Sequence, residues 1–215
     1  MLKNFRSLFF FLILFSLSVG STFASHLRAG EITAKRTGQL TYDFTLTLYI
    51  NTQGLTDQPE ATLDFGDGTS QNQPFDSSTP IGPISIKTKK NVYTYTHTYS
   101  GPGDYVVSFF AENRNGGVVN MFDSYNTPFY IETLIRINPK WLFDSPPELT
   151  VPPIDIAAQC QKFFHNPGAL DPDGDSLSYR LIIPRQAKNT NVVDYTYPDN
   201  STHYLGNCLP AAPTF

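Results

Sequence analysis

Residues 63–70 read LDFGDGTS, and after a connection of about 20 residues positions 92–113 read VYTYTHTYSGPGDYVVSFFAEN; these two stretches decide the fold. Leu63 and Phe65 alternate with Asp64 and Gly66, the two-residue period of a half-buried strand. Gly66-Asp67-Gly68 then supplies residues that tolerate a positive φ, so the strand ends in a tight acidic turn. From Val92 to Tyr99, Tyr and Thr alternate over a whole strand length. Ser100-Gly101-Pro102-Gly103-Asp104 turns the chain, and Tyr105 to Ala111 returns rich in Val and Phe. The pair predicts neighbouring strands of an antiparallel sheet.

The first strand to precede this unit is equally plain. Leu40, Tyr42, Phe44, Leu46, Leu48 and Ile50 occupy every second position, with Ile32 on an earlier strand, while Thr41, Asp43, Thr45 and Thr47 face the other way. Asn51–Glu60 is a polar connection, and Gln71–Pro83, rich in Ser, Pro, Gln and Asn, reads as a long exposed loop where binding would sit. Ile84–Lys87 is an expected edge strand. Asn113-Arg114-Asn115-Gly116-Gly117 turns into Val118–Met121, and Pro128–Asn138 is the expected last strand. Aromatics are plentiful, charges sparse, and no stretch after residue 24 has helical periodicity.

The DFGDGT turn followed by YTHTYSGPGDYVVSF resembles the PKD (polycystic kidney disease) repeat, on Asp64, Gly66, Asp67, Gly68, His97, Tyr99, Pro102, Gly103, Tyr105 and Val107. Phe65 stands where the family often has Trp. The resemblance implies an immunoglobulin-like β-sandwich of extracellular type and no active site. The opening HLRAGEIT before a TLTLY strand is similar to the start of large surface proteins of gliding bacteria, with Ala29 in place of a glycine. That likeness implies the first domain of an exported, adhesin-like protein longer than this chain, acting in gliding-motility-associated surface attachment.

Lys3 and Arg6 precede a charge-free run, Ser7–Gly20, and Thr22-Phe23-Ala24 offers small residues to a signal peptidase, so residues 1–24 read as a secretory signal peptide. The apolar core is short for a membrane anchor. Of 15 basic and 19 acidic residues, loss of Lys3 and Arg6 leaves 13 against 19, a net charge of −6. An acidic exported chain is a poor partner for nucleic acid and, once the signal is cut, for a membrane.

Residues 25–140 form the expected PKD-like sandwich, and the proline-rich stretch 141–153 the linker, with Trp141 at the junction. Residues 154–215 are too few for a second full sandwich and read as a partial immunoglobulin- or cadherin-like module, the remainder of which the chain lacks. The fold class is thus all-β: one immunoglobulin-like sandwich and part of another.

Candidate sites are few. Asp171, Asp173 and Asp175 place three carboxylates at alternate positions around Gly174, ahead of strand-like Leu177, Tyr179 and Leu181. Clustered oxygens suit Ca²⁺, and DPDGDSLSYRL resembles the acidic stretch of cadherin-like bacterial repeats, which implies a calcium site at these three; the alternative is an acidic turn whose aspartates cap backbone amides. Asp64 and Asp67 are a weaker calcium pair. Cys160 and Cys208 are the two cysteines, a disulfide if their strands approach and buried thiols otherwise; a closed loop of that size would constrain the unfolded chain by about 4 kcal/mol. His26 and His97 read as structural. Motifs for nucleophilic, zinc, phosphate or dinucleotide chemistry are missing from the sequence, and the acidic residues fall in turns. The expected role is non-catalytic: adhesion, spacing or attachment against an extracellular protein or polysaccharide surface. The alternative is a carbohydrate-binding accessory module of a polysaccharide-degrading protein, presenting Tyr93, Tyr95, Tyr99 and Tyr105, with core packing as the competing reading of each ring.

Overall fold

The computed structural model describes residues 27–54, 57–83, 86–112, 114–138, 145–156 and 164–197. The expected signal peptide, His26, Trp141, Cys160 and Cys208 lie outside them.

Eight strands build the sandwich: β1 Leu27–Arg36, β2 Thr41–Asn51, β3 Glu60–Asp64, β4 Ser70–Pro74, β5 Ser77–Ile81, β6 Thr88–Thr98, β7 Gly103–Ala111 and β8 Phe129–Ile137. One sheet runs β1-β2-β6-β5 and the other β4-β3-β7-β8, and their pairings are antiparallel. The backbone of the first sheet is the β2–β6 ladder, in register from Thr41 opposite Thr98 to Asn51 opposite Thr88. Alternation explains the two faces. Tyr42, Phe44, Leu46, Leu48 and Ile50 are buried between the sheets with Leu63, Phe65, Val107, Phe109 and Ile135, each worth about 1.5–3 kcal/mol of burial. Outside, the Thr41 and Thr98 hydroxyls meet at 2.9 Å and Thr96 donates to Asp43 at 2.7 Å, the polar cross-strand pairs of a solvated face.

Two sequence expectations need correction here. The stretch 71–83 is not a loop: it carries edge strands β4 and β5, joined by Phe75-Asp76. Nor do the described residues of 84–87 form an edge strand, since Ile86 lies in a turn and Lys87 adopts φ 50°, after which β6 starts.

The inward face of β6 joins the sheets. Tyr93, Tyr95 and Tyr99 are almost fully buried, and their hydroxyls donate across the core to the carbonyls of Gln58, Ala61 (2.8 Å) and Phe65 (3.1 Å). Only Leu63 and Asp64 of β3 pair with β7, so Ala61 and Phe65 flank a short ladder and the tyrosines satisfy carbonyls beyond its ends. Asn91, fully buried on the same face, accepts from Ser78 Oγ at 2.7 Å and donates to the Gln58 carbonyl at 3.3 Å.

Past Ile137 the described residues form two short ribbons, β9 Glu148–Leu149 with β10 Ala169–Leu170, and β11 Arg185–Ala187 with β12 Thr190–Asn191. The strand expected through Leu177, Tyr179 and Leu181 does not form; Tyr179 and Leu181 are exposed and unpaired with any strand. The tail is fastened to the sandwich by an ion pair between Arg185 and Glu132, by a bridge between Met121 and Tyr195, and by Asn120 Nδ2 donating to the Thr196 carbonyl at 3.0 Å.

Replacing Tyr95 by Phe keeps the ring and strands the Ala61 carbonyl. Urea unfolding should show a loss of about 1–2 kcal/mol, against a larger loss for Tyr95→Ala, which also opens a cavity.

Candidate functional site

The two motif stretches meet at one end of the sandwich. Asp64 Oδ1 accepts from the Gly66 amide at 2.7 Å, and Asp67 Oδ1 accepts from the Thr69 amide at 3.0 Å and the Thr69 hydroxyl at 2.6 Å. Gly66 is required twice over: its φ is +82°, and a Cβ there would lie 2.6 Å from the Val106 carbonyl oxygen of β7. Asp67 Oδ2 lies 2.8 Å from His97 Nε2, and the His97 ring stacks on Phe65 with centroids 4.1 Å apart and planes 4° from parallel. Tyr99 meets His97 edge-on at 4.7 Å and stacks on Tyr105 at 4.1 Å, whose hydroxyl donates to the Gly101 carbonyl at 2.9 Å.

This arrangement ties the acidic turn to the β6–β7 hairpin. Burial pushes the Asp67 carboxyl up, but hydrogen bonds from Thr69 and His97 outweigh it and hold the group below the ordinary carboxylate value. Burial likewise pushes the Tyr93 hydroxyl up to about 12 and raises those of Tyr95 and Tyr99, so all three remain protonated donors at neutral pH. Asp64, Asp67, His97, Tyr99 and Tyr105 are therefore brought together, and each spends its polar atoms on a neighbouring residue.

The sugar platform expected on Tyr93, Tyr95, Tyr99 and Tyr105 is corrected by this geometry. Tyr93, Tyr95 and Tyr99 fill the core and Tyr105 packs half-buried against it, because in a Tyr/Thr alternation the ring is the side chain that gains from leaving water.

The acidic turn at 171–175 is built as a backbone cap. Asp171 Oδ1 accepts from the amides of Asp173 at 2.9 Å and Asp175 at 3.1 Å, Gly174 takes φ 82°, and Asp173 Oδ2 accepts from the Ser145 amide at 2.6 Å. Among the described residues no three His, Cys, Asp or Glu side chains converge as a metal cluster. Asp171 and Asp173 thus accept from backbone amides, the alternative reading of this turn, and Asp64 and Asp67 likewise accept from Gly66 and Thr69.

Two features had no counterpart in the sequence reading. A cavity of about 600 Å³ runs along the seam where β1 faces β8, lined by Glu31, Tyr49, Ile131, Leu149, Pro153 and Pro184 among others. Within it burial, then the nearby Glu148 carboxylate, raise the Glu31 carboxyl, and burial with Glu31 pushes Tyr49 up to about 12. The second feature is the β7–β8 connection, where Phe122 and Tyr125 stand exposed in a polar stretch.

The sandwich geometry and the turn-to-hairpin tie agree with one family model. Residues 31–122 match the PKD domain. The match starts inside β1 and ends in the β7–β8 connection, so β8 completes this PKD-like sandwich from outside the matched stretch. No curated protein and no solved structure matches the chain. The PKD domain is a non-catalytic β-sandwich module, typically extracellular. Its motif residues hold this fold together. Among the described residues no helix is long and apolar enough to cross a membrane.

A depressed carboxyl contributes stability above its unfolded value and loses it as pH falls through its folded value. Asp67→Asn should thus be less stable than the parent at pH 6, and urea midpoints should show the gap narrowing towards pH 3. Excess chelator should leave the melting temperature of the parent unchanged, since Asp64, Asp67, Asp171 and Asp173 already accept from amides; a lowered value would show a bound cation.

Proposed function

We propose that this chain is exported and serves as a non-catalytic recognition or spacing module at a bacterial cell surface, in adhesion or surface attachment. The observation that carries the reading is the fate of the motif side chains within the PKD match: Asp64, Asp67, His97, Tyr99 and Tyr105 are spent on cross-linking the sheets and their turns. A domain so arranged presents a rigid body with its loops at the ends, suited to holding a surface in place. The leader at residues 1–24 supports export. A calcium requirement and a Cys160–Cys208 bridge stay outside this reading. The alternative of a carbohydrate-binding accessory module, as founded on Tyr93, Tyr95, Tyr99 and Tyr105, has three buried rings and one half-buried ring to use.

Expressed from its complete reading frame in a Gram-negative host, the protein should be recovered outside the cytoplasm with Ser25 at its N-terminus by Edman or mass-spectrometric sequencing. Deleting residues 7–20 should hold it inside. Recovery of the intact Met1 chain in the cytoplasm would overturn the export reading.

A further inference from the structure

The connection from β7 to β8 is polar in composition yet presents Phe122 at 71 % exposure and Tyr125 at 61 %. The turn that carries them is held in place. The turn is bound to itself: the Val118 amide donates to Ser124 Oγ at 3.2 Å, Asn126 Nδ2 bonds both Asp123 carboxylate oxygens at 3.0 and 2.9 Å, and Thr127 Oγ1 donates to the Asp123 carbonyl at 2.9 Å. Ser124 and Thr127 are buried, and Asp123 sits at φ 45°, a conformation a non-glycine residue holds only where its surroundings impose it. The tail braces the turn from outside, with the Thr196 amide donating to the Asn120 carbonyl at 3.0 Å beside the Met121–Tyr195 bridge.

The ring of Tyr125 is seated on glycine. A Cβ added at Gly116 would fall 1.9 Å from both Cε1 and Cζ of Tyr125 and 2.3 Å from Cε2, so one face of the ring lies flat over Gly116. With 61 % of the residue exposed, the opposite face is open to water. A flat, immobilised ring offers its negative π face at low entropic cost.

Resting on the surface-module reading, we propose that Tyr125, with Phe122 beside it in sequence, is the stacking platform of a subsite for neutral polysaccharide. The C–H face of a pyranose is apolar and weakly positive, which complements the open face of the ring; Asn120, Asp123 and Asn126 hold the turn beneath it through bonds of their own. The same surroundings disfavour a nucleic acid. Asp123 and Asp194 repel phosphate, and the nearby Arg114 spends Nη2 on the carbonyls of Pro128 and Arg185, so a nucleobase would stack with no cation for its backbone. Val119 at 78 % exposure and Val193 at 65 % lie in the two segments that meet here, so a second protein surface is the competing occupant, which the dimer arm of the test reads.

The test is retention of the exported chain on insoluble cellulose, chitin, β-1,3-glucan and mannan, with calorimetric titration of the matching hexasaccharide. Retention on at least one is expected, and Tyr125→Ala should weaken it tenfold or more. Gly116→Ala is the second variant: φ at 116 is not in the left-handed region, so the new methyl tips the surface ring off its seat while the fold survives, and it should weaken binding to a similar degree at near-parental melting temperature. Retention on none of the four, or equal affinity of parent and both variants, overturns the proposal. A dimer by sedimentation that Tyr125→Ala dissolves, without sugar binding, overturns it in favour of a second copy of the chain. The export experiment stands apart from these arms, so a surface module that binds no polysaccharide is told apart from a chain that never leaves the cytoplasm.

Discussion

The fold depends on hydroxyl groups that cross the core. A β-sandwich is usually held by the apolar contact of two inner faces, and that contact alone leaves the sheets free to slide. Here Tyr93 and Tyr95 of β6, and Tyr99 just past its end, reach through the interior to carbonyls on or beside β3, in the opposite sheet. Each bond has direction and lies in a low-dielectric interior, so each fixes the offset of the sheets and would strand a buried carbonyl if that offset changed. Asn91 extends the series at one end and the His97–Asp67 contact at the other. The rings supply the apolar burial and their tips supply the register.

That division of labour explains why the motif reads as chemistry and acts as structure. Aspartates, a histidine and tyrosines gathered at one end of a domain look like a site. Their polar atoms face amides, carbonyls and one another. The alternation of Tyr and Thr from Val92 to Tyr99 carried this information already, because the ring side of such a strand is the side that buries. What the sequence could not supply is where each hydroxyl ends, since the partner carbonyls lie more than 30 residues away.

Strands with one wet and one dry face, β2, β3, β6 and β7, were legible from period two alone. Strands β4 and β5 were not, because they are sheet edges with mostly exposed side chains and so carry no apolar alternation to read. The opposite failure occurred at Leu177–Leu181, where alternation is present and no strand forms. A period of two describes a segment able to pair; pairing itself needs a neighbour, and none is provided among the described residues. Sites followed the same rule. The Asp171–Asp175 run has the oxygen count of a cation loop, but Asp171 caps two amides of its own turn and Asp173 takes the Ser145 amide, a local competition that composition does not reveal. Phe122 and Tyr125 had a weak signal, isolated rings in a polar turn, and only Gly116 beneath Tyr125 distinguishes a seated ring from a loose one.

The tail is attached on different terms from the sandwich. Its ribbons are two or three residues long, and its fastenings to β8 and to the β7–β8 connection are a few part-buried polar bonds beside the buried side chains of Val192 and Met121. It also sets Glu148 near half-buried Glu31. A raised carboxyl favours the folded contact below its unfolded value and withdraws that support as pH climbs through the folded one, so the seam is weaker at neutral pH than in mild acid. Because Thr196 and Tyr195 brace the connection that carries Tyr125, a tail that lifts from the seam also loosens the support of the exposed ring. The exposed ring of Tyr125 therefore depends on the tail as well as on its own turn.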